Sequence, residues 1–150
     1  PSNTCDNFID IPALAMEPRW ARWAPQAFAP VMVNIDRWAP AFYRPGRLDV
    51  PVTVVNDTYE DHPVTLELLV ADGEGRVLDR SAALQFDLSA LGRKRVAVEA
   101  EIPGGKPFVL YALLSGKFAP QPVISRRKLG FEHPGVLTSL PADIGEKMRK

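Results

Sequence analysis

The chain holds 150 residues, about one domain's length, which is enough to bury a core without covalent staples. Its 18 basic and 18 acidic side chains cancel, which excludes a global field of either sign for nucleic acid or a membrane surface. The single cysteine, Cys5, excludes an intrachain disulfide and a thiolate cluster, and no apolar run approaches the ~18 residues needed to span a bilayer.

Residues 1–28 carry no period-2 pattern and no secretory leader is visible, so they read as a connector. Their first residue is proline, which suggests a chain processed or cut from a longer one. In "EPRWARWAPQAF" (17–28) the residues Trp20, Trp23 and Ala24 have i, i+3, i+4 spacing. That spacing predicts one or two helical turns, ended by Pro25.

From residue 30 onward the pattern is strand after strand. Val31, Val33 and Ile35 alternate with polar or exposed-type neighbours, and "YRPG" (43–46) is a turn signal. Leu48, Val50, Val52 and Val54 alternate next, then Val64, Leu66, Leu68 and Val70. "DGEG" (72–75) suits a hairpin turn, and Val77 and Leu78 begin a short strand. Leu84, Phe86 and Leu88 make another, and Val96, Val98, Ala100 and Ile102 the next. "PGGKP" (103–107) turns the chain into "FVLYALL" (108–114), apolar on both faces like a central strand covered on both sides. Val123, Leu129 and Phe131 keep odd spacing through a last strand, and residues 133–150 read as a second connector.

Seven to eight short strands with turn signals between them predict an all-β, antiparallel sandwich over residues 29–132. The topology is expected to be immunoglobulin-like, without the Cys…Trp…Cys hallmark. Val52, Val54, Leu66, Leu68, Val98, Leu110 and Ala112 should face inward.

"VPVTVVNDTYED" (50–61) runs from a strand into an acidic knot of Asn56, Asp57, Glu60 and Asp61. The knot lacks the regular carboxylate spacing of a calcium loop, and Asn and Asp also begin turns by bonding their own backbone. A turn is the expectation, with no metal and no cofactor. Asn56-Asp57-Thr58 is also an N-x-T sequon, which matters only in a secreted eukaryotic chain. Glu67, Glu99 and Glu101 fall on the wet side of strands, and Asp72, Glu74, Asp79 and Asp87 in or near turns, so no carboxylate pair suggests itself. His62 and His133 both precede proline and are too few for a histidine metal site. The basic runs 93–95 and 126–128 read as solvated strand faces. No nucleophile elbow, P-loop, dinucleotide fingerprint or zinc-protease motif is present, so the isolated chain is not expected to be an enzyme.

"FAPVMVNID" (28–36), "YRPG" (43–46) and "LDVPVTVVNDT" (48–58) together resemble the β-sandwich domains that follow the catalytic barrel in family 2 glycoside hydrolases, the β-galactosidase-like and β-mannosidase-like enzymes. The resemblance covers about residues 20–75; beyond that it is strand rhythm alone. It implies an accessory domain whose partner is the parent enzyme's catalytic domain. The family's catalytic glutamates belong to the barrel, and no position here matches them. Trp20, Trp23, Trp38 and Tyr43 would then touch the neighbouring domain. Two other readings stand beside this one. In a carbohydrate-binding module the same residues, with Phe42 and Tyr59, would stack sugars. The other is a secreted fibronectin-like interaction domain. A periplasmic or secreted location is favoured over the cytoplasm.

Overall fold

A computed structural model describes residues 8–10, 12–37, 45–103 and 106–129. It opens with a short antiparallel ribbon of β1 (Phe8–Asp10) and β2 (Ala15–Met16), in a stretch where no strand was expected. Strands of three and two residues are too short to show a period.

Helix α1 (Pro18–Ala27) follows. The Glu17 carboxylate accepts the Trp20 N–H at 2.8 Å, capping the first turn, and Pro18 sits where no N–H is needed. The helix does not end at Pro25 as the sequence suggests. Pro25 removes one bond near the C-terminus, and the next turn still closes through Phe28 N–H to Ala24 O at 3.0 Å.

The remaining strands form two facing sheets. The smaller has three strands, in the order β3 (Val31–Ile35), β4 (Gly46–Asn56), β8 (Arg93–Ile102). The larger has five, running β10 (Val123–Leu129), β9 (Phe108–Gly116), β5 (His62–Ala71), with β6 (Val77–Arg80) and β7 (Leu84–Leu88) sharing the far edge of β5. All pairings are antiparallel. The fold is an all-β sandwich. β4 begins two residues before the alternation shows, and β8 begins at Arg93, where charged residues hide the period.

β6 and β7 are one edge strand broken by a bulge. Leu69 pairs with Arg80, but Leu66 pairs with Leu84, so one extra residue lies between. Leu68 holds the break, its N–H donating to the Ser81 hydroxyl at 2.9 Å and its carbonyl accepting the Ser81 N–H at 2.9 Å.

Burial follows the alternation. Val52, Val54, Leu66, Leu68, Val98, Leu110 and Ala112 are all buried in one core with Ile35, Phe108 and Leu114. β9 is central in its sheet, but only its inner face meets the other sheet. On the outer face Tyr111 and Leu113 are half-buried, flanked across the ladder by Arg126 and Ile124. Val109 on the same face is buried, so the outer face of β9 is partly covered, short of the full cover on both sides that the sequence suggests.

The open sides of the sandwich are closed by side chains. Ser125 Oγ accepts the Ile35 N–H at 3.2 Å, and Arg127 donates to Asn34 at 3.2 Å, joining β10 to β3. On the other side Asp79 accepts the Glu101 N–H at 2.7 Å, joining β6 to β8. Ser125 and Asp79 each take an edge N–H that would otherwise invite another strand. Among the described residues no helix is long and apolar enough to cross a membrane.

The turn before β8 is tight. A Cβ on Gly92 would lie 2.5 Å from the Ser89 carbonyl oxygen, a backbone atom that cannot swing away. Gly92→Ala is expected to destabilise the domain by about 1–3 kcal/mol in urea unfolding. An unchanged midpoint would show that this turn is looser than described.

Candidate functional site

The acidic knot lies at the end of the sandwich where β4 hands over to β5. Asn56 is fully buried at the strand's last position. Its side-chain amide donates to Glu60 O at 2.8 Å and Ser89 O at 2.9 Å. Its Oδ1 accepts the Thr58 N–H at 2.9 Å and the Thr58 hydroxyl at 2.7 Å. This is the turn-forming behaviour expected of an Asn here, extended into a staple between two loops. His62 Nε2 lies 2.9 Å from Thr58 Oγ1, joining the start of β5 to the same turn. Asp61 accepts the Ala90 N–H at 2.8 Å, a second tie to the β7–β8 loop. The acidic knot is thus used mainly for backbone bonding. The buried amide also leaves the N-x-T sequon closed in the folded chain.

Those ties hold three neighbouring segments. Asp57 N–H donates to Pro30 O at 2.8 Å, and Leu91 N–H to Thr58 O at 2.9 Å. Leu91 sits at φ 51°, in the left-handed region that costs a branched side chain energy. On this frame Phe28, Tyr59 and Leu91 are 80%, 86% and 62% exposed. Tyr59 is a sugar-stacking candidate in the sequence, whereas the exposure of Phe28 and Leu91 depends on tertiary ties.

The second feature is the flank carrying α1. The helix runs antiparallel to β10: Pro18 shares a cavity with Lys128, Trp23 meets Arg126, and Gln26 accepts the Ile124 N–H at 2.8 Å. Trp23 is half-buried, with the Arg126 guanidinium 4.6 Å from its ring centre and that of Arg22 at 5.3 Å. Each lies within cation–π range. Trp20, three residues earlier, is 37% exposed. Trp38 and Tyr43, with Phe42, lie outside the described residues, as do Cys5 and His133. Of the residues named from the sequence as contacts, the structure therefore brings Trp20 and Trp23 onto one helix. Arg22, Arg126 and Lys128 carried no sequence signal beyond charge, since only helix docking brings them together.

The third feature is the groove between β6 and β8, of about 440 Å³, whose lining includes the carboxylates Asp79, Glu99 and Glu101. Asp79 is bound to the Glu101 N–H, and Glu99 pairs with Arg47 at 3.1 Å. Elsewhere Asp36 accepts from Thr53 at 2.6 Å and meets Arg95 at 3.3 Å, and Glu67 pairs with Arg80 at 3.0 Å. These carboxylates tie strands to one another.

No protein-family model matches the chain, and no curated protein matches it. Several solved structures align with part of it. A β-glucuronidase from glycoside hydrolase family 2 aligns at TM-score 0.46 and 12% identity, over 68% of this chain and 11% of that one. A putative β-galactosidase from Bacteroides fragilis aligns at TM-score 0.44 and 18% identity, over 65% of this chain and 17% of that one. A DNA glycosylase from Pseudomonas fluorescens, AlkC, aligns at TM-score 0.42 and 15% identity, over 73% and 33%. This chain spans only a small part of each hydrolase.

Proposed function

We propose that this chain is a non-catalytic β-sandwich domain of a multidomain glycoside hydrolase, packing on and supporting the catalytic module. The observation that carries the reading is the way two of the three carboxylates lining the groove between β6 and β8 are engaged. Glycosidic catalysis needs two carboxyl groups facing each other across a cleft, one free to give a proton. In the groove between β6 and β8, Asp79 holds a backbone N–H and Glu99 an arginine, so neither is poised for that role. The resemblance of residues 20–75 to the domains that follow a hydrolase barrel supplies the parent enzyme class. The arrangement of Trp23 speaks against the carbohydrate-binding alternative. Sugar stacking needs an open aromatic face, and a guanidinium lies over this ring.

Purified alone, the chain is expected to turn over aryl β-galactoside and aryl β-mannoside no faster than buffer. Turnover that survives repurification and disappears with a carboxylate substitution would overturn the reading. Sequencing the surrounding reading frame tests the parent class separately, since a barrel of about 250 residues should lie upstream.

A further inference from the structure

The α1–β10 flank holds a cradle of uncompensated positive charge. Pro18, Arg22, Trp23, Arg126 and Lys128 line a shallow cavity of about 490 Å³. That lining contains three cations and no acid. Among the described residues none of the ion pairs involves Arg22, Arg126 or Lys128, whereas Arg47, Arg76, Arg80 and Arg95 each have a carboxylate. Two guanidiniums beside one indole are held in place by the ring, not by counter-charge. Their outward N–H groups remain available in a planar array that suits carboxylate oxygens.

From this geometry we infer that the cradle receives carboxylate side chains from the surface of the adjoining module in the parent protein. The inference rests on the accessory-domain reading for the identity of that module. Charge complementarity argues for the occupant: a set of cations without acids calls for an acidic surface opposite. A protein surface fits better than an acidic glycan, because Arg126 takes a face of the Trp23 ring that a sugar would need. Position agrees as well. The cradle lies at the Pro18 end of α1, where the lead-in reaches the sandwich, so a module joined through that lead-in would be held near it.

The test uses the 150-residue chain itself, with hexaglutamate peptide as the probe and trigalacturonate as the glycan arm. The readout is the Trp23 indole N–H peak in proton–nitrogen correlation spectra, assigned by Trp23→Phe. Hexaglutamate should shift the peak saturably, and the shift should weaken as salt is raised. The Arg22→Gln/Arg126→Gln variant should bind about tenfold more weakly, as loss of two exposed charge contacts predicts. An Arg47→Gln/Arg76→Gln control, with the same change in net charge, should bind like the parent chain. Equal weakening in both variants would mean diffuse attraction and would overturn the cradle. Saturable binding of trigalacturonate with none of hexaglutamate would overturn the protein partner in favour of an acidic glycan. No shift with either probe would overturn the inference outright, whether the cradle is too weak or already filled by the chain's own acids. The outcome is separable from that of the accessory reading, because catalytic turnover by this chain would leave the peptide titration unchanged.

Discussion

Leu66→Ala and Leu68→Ala should each cost about 2–5 kcal/mol, while Glu67→Ala between them costs less than about 1 kcal/mol. Both leucines are fully buried on β5, whose inner face packs on β8 across the sandwich. Leu66 pairs with Leu84 on one side and Leu114 on the other, and Leu68 with Ala112. Truncating Leu66 leaves a cavity under a ladder paired on both edges, and truncating Leu68 leaves one under a strand paired with β9 and tied to Ser81 at the break. The backbone there cannot collapse to fill it, which places the loss toward the upper part of the range. Glu67 faces outward and meets Arg80 in a pair whose side chains are 28% and 56% exposed, so solvent screens it. Urea unfolding of the three variants checks the register in one experiment. Small losses at both leucines with a large one at Glu67 would mean the strand is slipped by one residue.

That register was readable because alternation and burial are two aspects of one fact. A strand wetted on one face must alternate, so β3, β4, β5 and β8 announce their inner residues directly. The bulge between β6 and β7 was not readable. Ser81 and its neighbours have no pattern of their own, and the extra residue exists only relative to β5. α1 was half readable. Its i, i+3, i+4 aromatics gave the helix, but Pro25 suggested an end that the next turn's bond bridges. Its docking could not be read at all, because the Trp23–Arg126 contact joins residues from opposite ends of the sandwich sequence. The basic run at 126–128 therefore looked like an ordinary wet face. Positive charge on a strand carries no sign of what lies across from it until the helix is placed.

Asn56→Ala should destabilise the domain by about 3 kcal/mol and lower the melting temperature by about 10 °C or more. The reason is the asymmetry between making a hydrogen bond and leaving one unmade. Alanine removes the donor to Glu60 O and Ser89 O and the acceptor for Thr58 N–H, all at a residue with no solvent access. Each partner stranded away from water costs about 1–3 kcal/mol, and partial opening of the loops to water offsets some of the sum. Asn56→Asp separates donor loss from volume loss. It keeps the shape but turns an oxygen toward two carbonyl oxygens 2.8 and 2.9 Å from the present nitrogen. Only the protonated acid can donate there, so the folded state should raise that carboxyl above its unfolded value near 3.9. A group raised on folding stabilises fully below the unfolded value and loses that contribution as pH rises through the folded one. The aspartate variant should therefore be about as weak as the alanine variant at pH 7 and recover part of the difference on acidification. Thermal melts of both variants at pH 7 and pH 4 check this. A loss under about 1 kcal/mol for Asn56→Ala, or an aspartate variant as stable as the parent at pH 7, would mean that the staple does not hold the Tyr59 and Leu91 loops.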